Sequence, residues 1–498
     1  MAELTGQPGV SSGSGQNTVA VTDLKAGALG LPGVLMQSIT AIAPAIAGLF
    51  TLQFIVSNAG ISAPLAYLGA FIIALLLGYV LAEYGRHLTS AGSYFTFVSR
   101  SLGGRWGFLV AWVYLLFYPV VVAQVGSFMG STLESTLKSE YSITFHWWYF
   151  MVFLIALVGF TAWRGIEIST KVIIALGLFE LVVCLVLALS GLISPGSGGV
   201  NLHSFNPSSA PSTHGLFLGV VFAIFAISGW DAAAPLGEES ENPRRTVPRA
   251  VMGSIVIMGL FLIFVSWGQT IGWGTTKVSG LISSAELPAF VLGHRLWGGA
   301  WVIVLIALFN SAIAVSIATM NAATRFMYGM SRTGALPKAL RTVSTKYRTP
   351  TTAIIVATGI NIALGIILPV IIGVANVYNL TGTWFTFALA PVYAVANVGV
   401  FFFFRREHPT EFNWIKHTVI PALGIVALGV VVYYSVVPLP AYPISLAPFI
   451  VLGWLAVGIA IVVWMVKTGN ESLLAHASDA VLERVETPEE HSAHVAGL

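Results

Sequence analysis

Long apolar runs alternate with short polar links from about residue 27 to residue 466, and each run is long enough for a membrane crossing. Between Ala26 and Ala82 there is no charged residue at all. At ~20 residues per crossing that interval holds two helices and a link. The same reading along the whole chain gives twelve spans, at roughly 27–56, 62–84, 105–133, 147–163, 169–193, 214–236, 249–272, 299–327, 352–372, 376–404, 417–437 and 444–466. The pattern predicts an all-α polytopic membrane protein.

Spans one and six differ from the rest. A continuous helix from Leu29 to Val56 would reach ~42 Å, longer than a ~30 Å hydrocarbon core. Inside it lies Ser38-Ile39-Thr40-Ala41-Ile42-Ala43-Pro44, followed by Gly48. Pro44 removes a backbone donor and crowds the preceding turn, so the helix is expected to break before it, unwinding Ser38–Ala43. Span six carries Ser228-Gly229 in mid-run and Pro235 near its end. Two interrupted spans, five helices apart, predict two five-helix repeats of opposite orientation, over 27–193 and 214–404. In such folds the substrate site lies at the midplane between the exposed half-helix ends. Spans eleven and twelve, over 417–467, fall outside the repeat and suit a peripheral or homodimer-forming role.

Composition agrees with the pattern. Only 9% of the 498 residues are charged and 56% are apolar, which excludes an ordinary soluble domain. Twenty of the 23 Lys and Arg residues fall on one side of the twelve-span topology, leaving Lys138, Lys277 and Arg295 on the other. That bias sets both termini in the cytoplasm. Residues 1–26 are polar and Gly/Ser-rich, with no basic start and apolar core, and read as a disordered tail rather than a signal peptide. Residues 468–498 form a second polar tail, in which His476, His491 and His494 read as solvated residues. The single cysteine, Cys184, can form no internal disulfide. No metal-spaced His or Cys pair and no Gly-rich phosphate loop occurs, so neither metal nor cofactor is expected. Acids alternate with bases in the cluster Glu238–Arg249, which gives nucleic acid no footing and reads as a gate latch or topological anchor.

Three segments carry a family resemblance. They are Ala82-Glu83-Tyr84-Gly85-Arg86-His87-Leu88-Thr89-Ser90-Ala91-Gly92-Ser93-Tyr94-Phe95 after span two, Phe225-Ala226-Ile227-Ser228-Gly229-Trp230-Asp231 with the following Glu238-Glu239 and Asn242–Ala250, and Arg325–Pro337 after span eight. In this order, and at these spans, they resemble the amino acid–polyamine–organocation (APC) permeases, over about residues 24–467. The resemblance implies a LeuT-like 5+5 inverted-repeat fold, alternating access, and small amino acids or amines as cargo. Members such as the arginine–agmatine antiporter carry a Gly-x-Gly break in span one, where this chain has Ser-Ile-Thr-Ala-Ile-Ala-Pro.

Candidate site residues follow from the two breaks. Free amides before and after Pro44 would present partial positive charge to a substrate carboxylate, with Ser38, Thr40, Ala41 and Ile42 around it. By resemblance, free carbonyls here and around Ile227, Ser228 and Gly229 would receive the α-ammonium. Phe225 would stack over the substrate as a gate, with Trp230 the second choice. Glu180 and Asp231 are the acidic residues well inside predicted spans, and such charges need a partner, a proton or water. Each is either a proton carrier or a structural carboxyl, with Asp231 suited to capping free amides at its helix break. In proton-coupled cationic members a lysine occupies what looks like the position of Glu180. Ser316 and Thr319 share a face of span eight. By resemblance they would complete a cation site, and otherwise they bond between helices. Tyr118 and Gln124 in span three, and Asn379 and Thr381 in span ten, are further polar residues near the pocket spans.

The class expected is therefore a secondary transporter of the plasma membrane. Its cargo is expected to be a neutral or zwitterionic amino acid, by proton symport or by exchange of amino acids, amines or polyamines. An intramembrane aspartyl protease needs a second catalytic Asp and is excluded. An amino acid sensor would keep the same pocket, but the short polar tails offer it no ordered output.

Overall fold

The computed structural model describes residues 24–275 and 287–469. The two expected tails lie almost wholly outside the described residues, as do Lys277, His476, His491 and His494. Among the described residues the chain is helical, and the one β pairing is an isolated bridge between Leu29 and Ser240.

Eleven helical stretches are long and apolar enough to cross a membrane. The first, Leu31–His87, has 57 residues. At 1.5 Å per residue that is ~85 Å, far more than one crossing. It turns at Gly60, whose φ of +60° few side chains tolerate, into the 3₁₀ turn Gly60–Ser62. The stretch therefore supplies two spans, and the described residues hold twelve, in the LeuT-like arrangement of five spans, their inverted repeat and two more.

Both predicted interruptions are present, but the first is narrower than expected. The α-helix runs unbroken over Leu31–Ile42, and only Ala43 turns left-handed, at φ 57° and ψ 71°. The expected unwinding of Ser38–Ala43 is thus corrected to a single-residue break. The reason is local: Pro32 sits in the opening turn, where no N–H is needed, every residue from Gly33 to Ala43 keeps its donor, and Pro44 is the next to lack one. The Ala43 N–H bonds the Thr40 carbonyl instead, at 3.0 Å. Beyond Pro44 the chain continues through a π-helical turn, Ile46–Thr51, into Leu52–Ala59.

Span six is helical over Thr213–Ile227, extended at Ser228, and resumes as a 3₁₀ helix over Trp230–Glu239. Gly229 joins the halves at φ +125°. A Cβ there would lie 2.6 Å from the carbonyl carbon and oxygen of Ala41. Glycine is therefore required twice, for the dihedral and for the approach of the two broken spans.

A third break, in span three, was not expected. Gly104–Tyr114 gives way to a 3₁₀ turn, Tyr118–Val120, before Val121–Tyr141. Pro119 interrupts the ladder, and Asn361 of span nine repairs it. Its side chain accepts from the Ala123 N–H and donates to the Pro119 carbonyl, both at 2.8 Å.

Outside the repeat, span twelve (Ala447–Lys467) is stapled to span three by Trp112 and Trp454. Each indole donates to the other's backbone carbonyl, at 2.8 and 2.6 Å, and the rings stack with centroids 4.4 Å apart.

Candidate functional site

The break in span one strands carbonyls as well as amides. In an unbroken helix the Ala41 and Ile42 carbonyls would accept from the N–H groups of Ala45 and Ile46. Those donors are taken elsewhere. Ala45 N–H bonds Oε2 of Glu180 at 3.1 Å, and Ile46 N–H bonds the Ser311 hydroxyl at 3.3 Å. Two carbonyls at Ala41 and Ile42 are thereby left without their helical partners, at the point where span six approaches.

Both residues face a small cavity of about 50 Å³ between the broken spans. Ile46, Ala47, Phe117, Phe225, Ser228 and Phe385 help to line it, together with Gln124, Thr319 and Tyr378. No charged side chain is among its lining residues.

Of the candidates named from sequence, Ala41, Ile42, Phe225, Ser228 and Thr319 line this cavity. The others are buried beside it. Ser38 donates to the Trp230 carbonyl at 2.7 Å, joining span one to the start of the 3₁₀ half of span six. Thr40 bonds back to the Met36 carbonyl at 2.7 Å, and Thr319 to Val315 at 2.7 Å. Ser316 is buried with no hydrogen-bond partner for its hydroxyl. Ile227, Gly229 and Trp230 are not among the cavity-lining residues, and the Trp230 ring stacks on Tyr393 at 5.6 Å. Gln124 does line the cavity, donating to the Tyr378 carbonyl at 3.3 Å. Thr381 bonds the Val377 carbonyl at 2.6 Å.

The two intramembrane acids sit in different surroundings. Asp231 accepts from three tyrosine hydroxyls: Tyr118 at 2.7 Å, Tyr114 at 2.7 Å and Tyr393 at 3.3 Å. It lies in the first turn of its 3₁₀ half-helix, where a carboxylate is favoured. These bonds join spans three and ten to span six. Glu180 has a single backbone donor at one oxygen, while Oε1 is buried without a partner. It caps the start of the second half of span one, and the Ser311 hydroxyl beside it accepts from the Ile46 N–H, an interhelical bond that the hydrogen bonds found for Ser316 and Thr319 do not make.

The cavity is closed at both ends, by layers of unequal depth. Toward the side opposite the termini, Thr51 and Tyr378 join hydroxyls at 3.1 Å, with Phe225 beside Tyr378 at 5.9 Å between ring centroids. Those three residues also line a larger cavity of about 420 Å³ beyond them, which Asn379 and His214 share. One side-chain layer therefore separates the two spaces. On the terminal side the seal is thicker. Below the Asp231–tyrosine cluster, Arg325 grips Glu239 with two bonds, Nε–Oε2 at 2.8 Å and Nη2–Oε1 at 3.3 Å. Their side chains are 0% and 1% exposed. Arg332 pairs with Glu238, and Leu29 exchanges backbone bonds with Glu239 and Glu241 at 3.0 and 2.8 Å. At the edge Lys25 donates to Glu167 at 2.5 Å, a contact that holds the Glu167 carboxyl below its usual range.

Sequence reasoning missed Thr51, Phe117, Tyr378 and Phe385, and gave no reason to choose Gln124. Pro119 was the one signal available, since a kink in span three turns Phe117 inward.

The amino acid permease family profile matches residues 29–466. A low-affinity putrescine importer of Escherichia coli (strain K12) is 24% identical over 379 residues, covering 74% of this chain and 79% of the relative. A branched-chain amino acid permease of Bacillus subtilis is 24% identical over 386 residues, with the same coverage of 74% and 79%. A serine/threonine exchanger of Bacillus subtilis is 23% identical over 312 residues, or 61% of this chain and 68% of the relative.

Proposed function

Because this chain belongs to the amino acid permease family, within the APC superfamily of transporters, we propose that it carries a small neutral, zwitterionic amino acid by proton symport. The protein is a multi-pass membrane permease and not an enzyme. The finer reading is alternating access across the plasma membrane, with both termini in the cytoplasm. The distribution of Lys and Arg supports that orientation. The paired seals support alternating access, with the thick seal cytoplasmic and the thin one external. The repeats are assigned to 27–193 and 214–404, with 417–467 outside them.

One observation carries the substrate class: the cavity between the broken spans has no charged lining residue and borders the carbonyls of Ala41 and Ile42, whose helical N–H partners bond elsewhere. An α-ammonium suits those carbonyls, and the positive dipole end of the second half-helix, whose residues Ile46 and Ala47 line the cavity with their N–H groups bonded to Ser311 and to the Ala43 carbonyl, favours a carboxylate through its field. The apolar remainder suits a small uncharged side chain. A diamine would need a second anionic contact, and the lining offers none.

Glu180 supports proton coupling. Its charge occupies the same half-helix end that would receive the substrate carboxylate, so the two anions compete. A proton on Glu180 removes the competitor, and by linkage substrate binding then favours the proton. The putrescine importer and the serine/threonine exchanger among the relatives support a second reading, exchange of amines or amino acids.

The test is uptake into proteoliposomes, scanning labelled amino acids and amines with an inward proton gradient and without one. Accumulation of one zwitterionic amino acid only with the gradient is expected, and Glu180→Gln should abolish accumulation while preserving counterflow. Exchange driven by preloaded substrate, with no accumulation under the gradient, would refute symport.

A further inference from the structure

At the terminal side of the bundle, away from the substrate cavity, two imidazoles and a carboxylate from two segments distant in the chain converge. His87 ends span two, His408 caps span ten, and Glu411 lies in the link to span eleven. Nε2 of His87 is 3.4 Å from Oε2 of Glu411, and Nδ1 of His408 is 3.8 Å from Oε1. All three ligand atoms lie within 4.8 Å of one another, and the two rings are 4.2 Å apart between centroids. Hydrogen bonds of these types close to roughly 2.7–3.2 Å. The three groups face one another across gaps wider than that, as donors to a shared centre do.

We propose that His87, His408 and Glu411 form a site for a single zinc-class divalent ion. Two imidazoles and one carboxylate are the donor set that such borderline-soft ions take with a water in the fourth position. Calcium and magnesium prefer all-oxygen shells. The surroundings fit a metal site. Phe404 meets His87 edge-on at 5.1 Å, and Phe403 and Phe404 contact His408 at 5.1 and 5.9 Å. This wall fixes the ring planes and limits water, as an outer shell must. Glu411 is 57% exposed, leaving an entry path from solution. The bound ion ties the end of span two to the end of span ten, the span that carries Tyr378 in the external seal.

The experiment uses the full chain, purified without a polyhistidine tag and freed of metal, titrated with Co²⁺ while visible d–d absorption is read. One Co²⁺ per chain is expected, giving a low-coordinate band that Zn²⁺ bleaches and that millimolar Mg²⁺ or Ca²⁺ leaves intact. His87→Gln and His408→Gln should each weaken binding by more than the ~10–100-fold typical of losing an outer-shell partner. Glu411→Gln, at an exposed position that cannot disturb the fold, should weaken it as well. The triple change His476→Gln, His491→Gln, His494→Gln should leave the band unchanged. A parent protein without the band, a band that survives all three site variants, or one lost in the tail variant would each overturn the assignment. Because no transport is measured, the result is independent of the substrate reading.

Discussion

The Arg325–Glu239 pair makes a quantitative prediction about the terminal-side seal. Both side chains are buried and bonded in bidentate fashion, and the Arg325 Nη1 also meets the Thr324 hydroxyl at 3.2 Å. Replacing one partner leaves the other charge buried and uncompensated, a change that typically costs about 3–5 kcal/mol. Opening the seal lets water reach the stranded charge, so that cost falls on the closed state. Glu239→Gln or Arg325→Met should therefore shift the closed-to-open ratio by about two to three and a half orders of magnitude. Removing both charges strands nothing, so the double variant should return most of the way to the parent. The assay is alkylation of a cysteine introduced by Ser228→Cys in a Cys184→Ser background, with a membrane-impermeant reagent applied from the terminal side. Single variants should be labelled far faster than the parent, and the double variant slowly. Single variants labelled at the parent's rate, or a double variant labelled as fast as the faster single, would refute the reasoning.

Other changes test the remaining contacts. Gly229→Ala places a Cβ against the Ala41 carbonyl at positive φ and should destabilise the protein by at least ~1–3 kcal/mol; an unchanged thermal midpoint in detergent would contradict the required close approach. Tyr118→Phe removes one of the hydroxyls on the buried Asp231 and should cost ~1.5–3 kcal/mol, read as a lower thermal midpoint, with Tyr393→Phe costing less because its contact is longer. Phe225→Ala opens the single layer between the two cavities and should speed labelling, from the side opposite the termini, of a cysteine introduced by Thr319→Cys in the Cys184→Ser background. Trp112→Phe breaks a stack and at least one indole hydrogen bond to span twelve, a loss of ~1–3 kcal/mol that proteolysis near the end of span twelve would report.

Much of the fold is legible in the chain because its causes are local. Twenty apolar residues without charge must cross as a helix in lipid, since no water is there to pair the backbone. Pro44 and Ser228-Gly229 mark their breaks by covalent structure alone, and the three motif segments carried the family. The extent of the first break was harder to read, because a proline frees groups only around itself and the preceding turn stays wound. Pro119 was equally visible, yet its meaning depends on Asn361, a repair partner far along the chain.

The site itself divides along the same line. Glu180 and Asp231 stand out in sequence because charge is costly in hydrocarbon, and that cost is a property of the residue. Their different positions are not. Three tyrosines close on Asp231 and a single backbone N–H meets Glu180 only once spans three, five, eight and ten have packed against the broken pair. Helices that are apolar on every side carry no stripe to say which face turns inward, so Gln124, Tyr378 and Phe385 could not be told from lipid-facing neighbours. His408 and Glu411 share one turn after span ten, and His87, far back in the chain, meets them only at the ends of folded helices. The sequence by itself determined how many helices cross, where two of them break and which acids must be accommodated. The tertiary structure alone decided which faces meet, because rotation about each helix axis is set by neighbours and not by the helix's own residues.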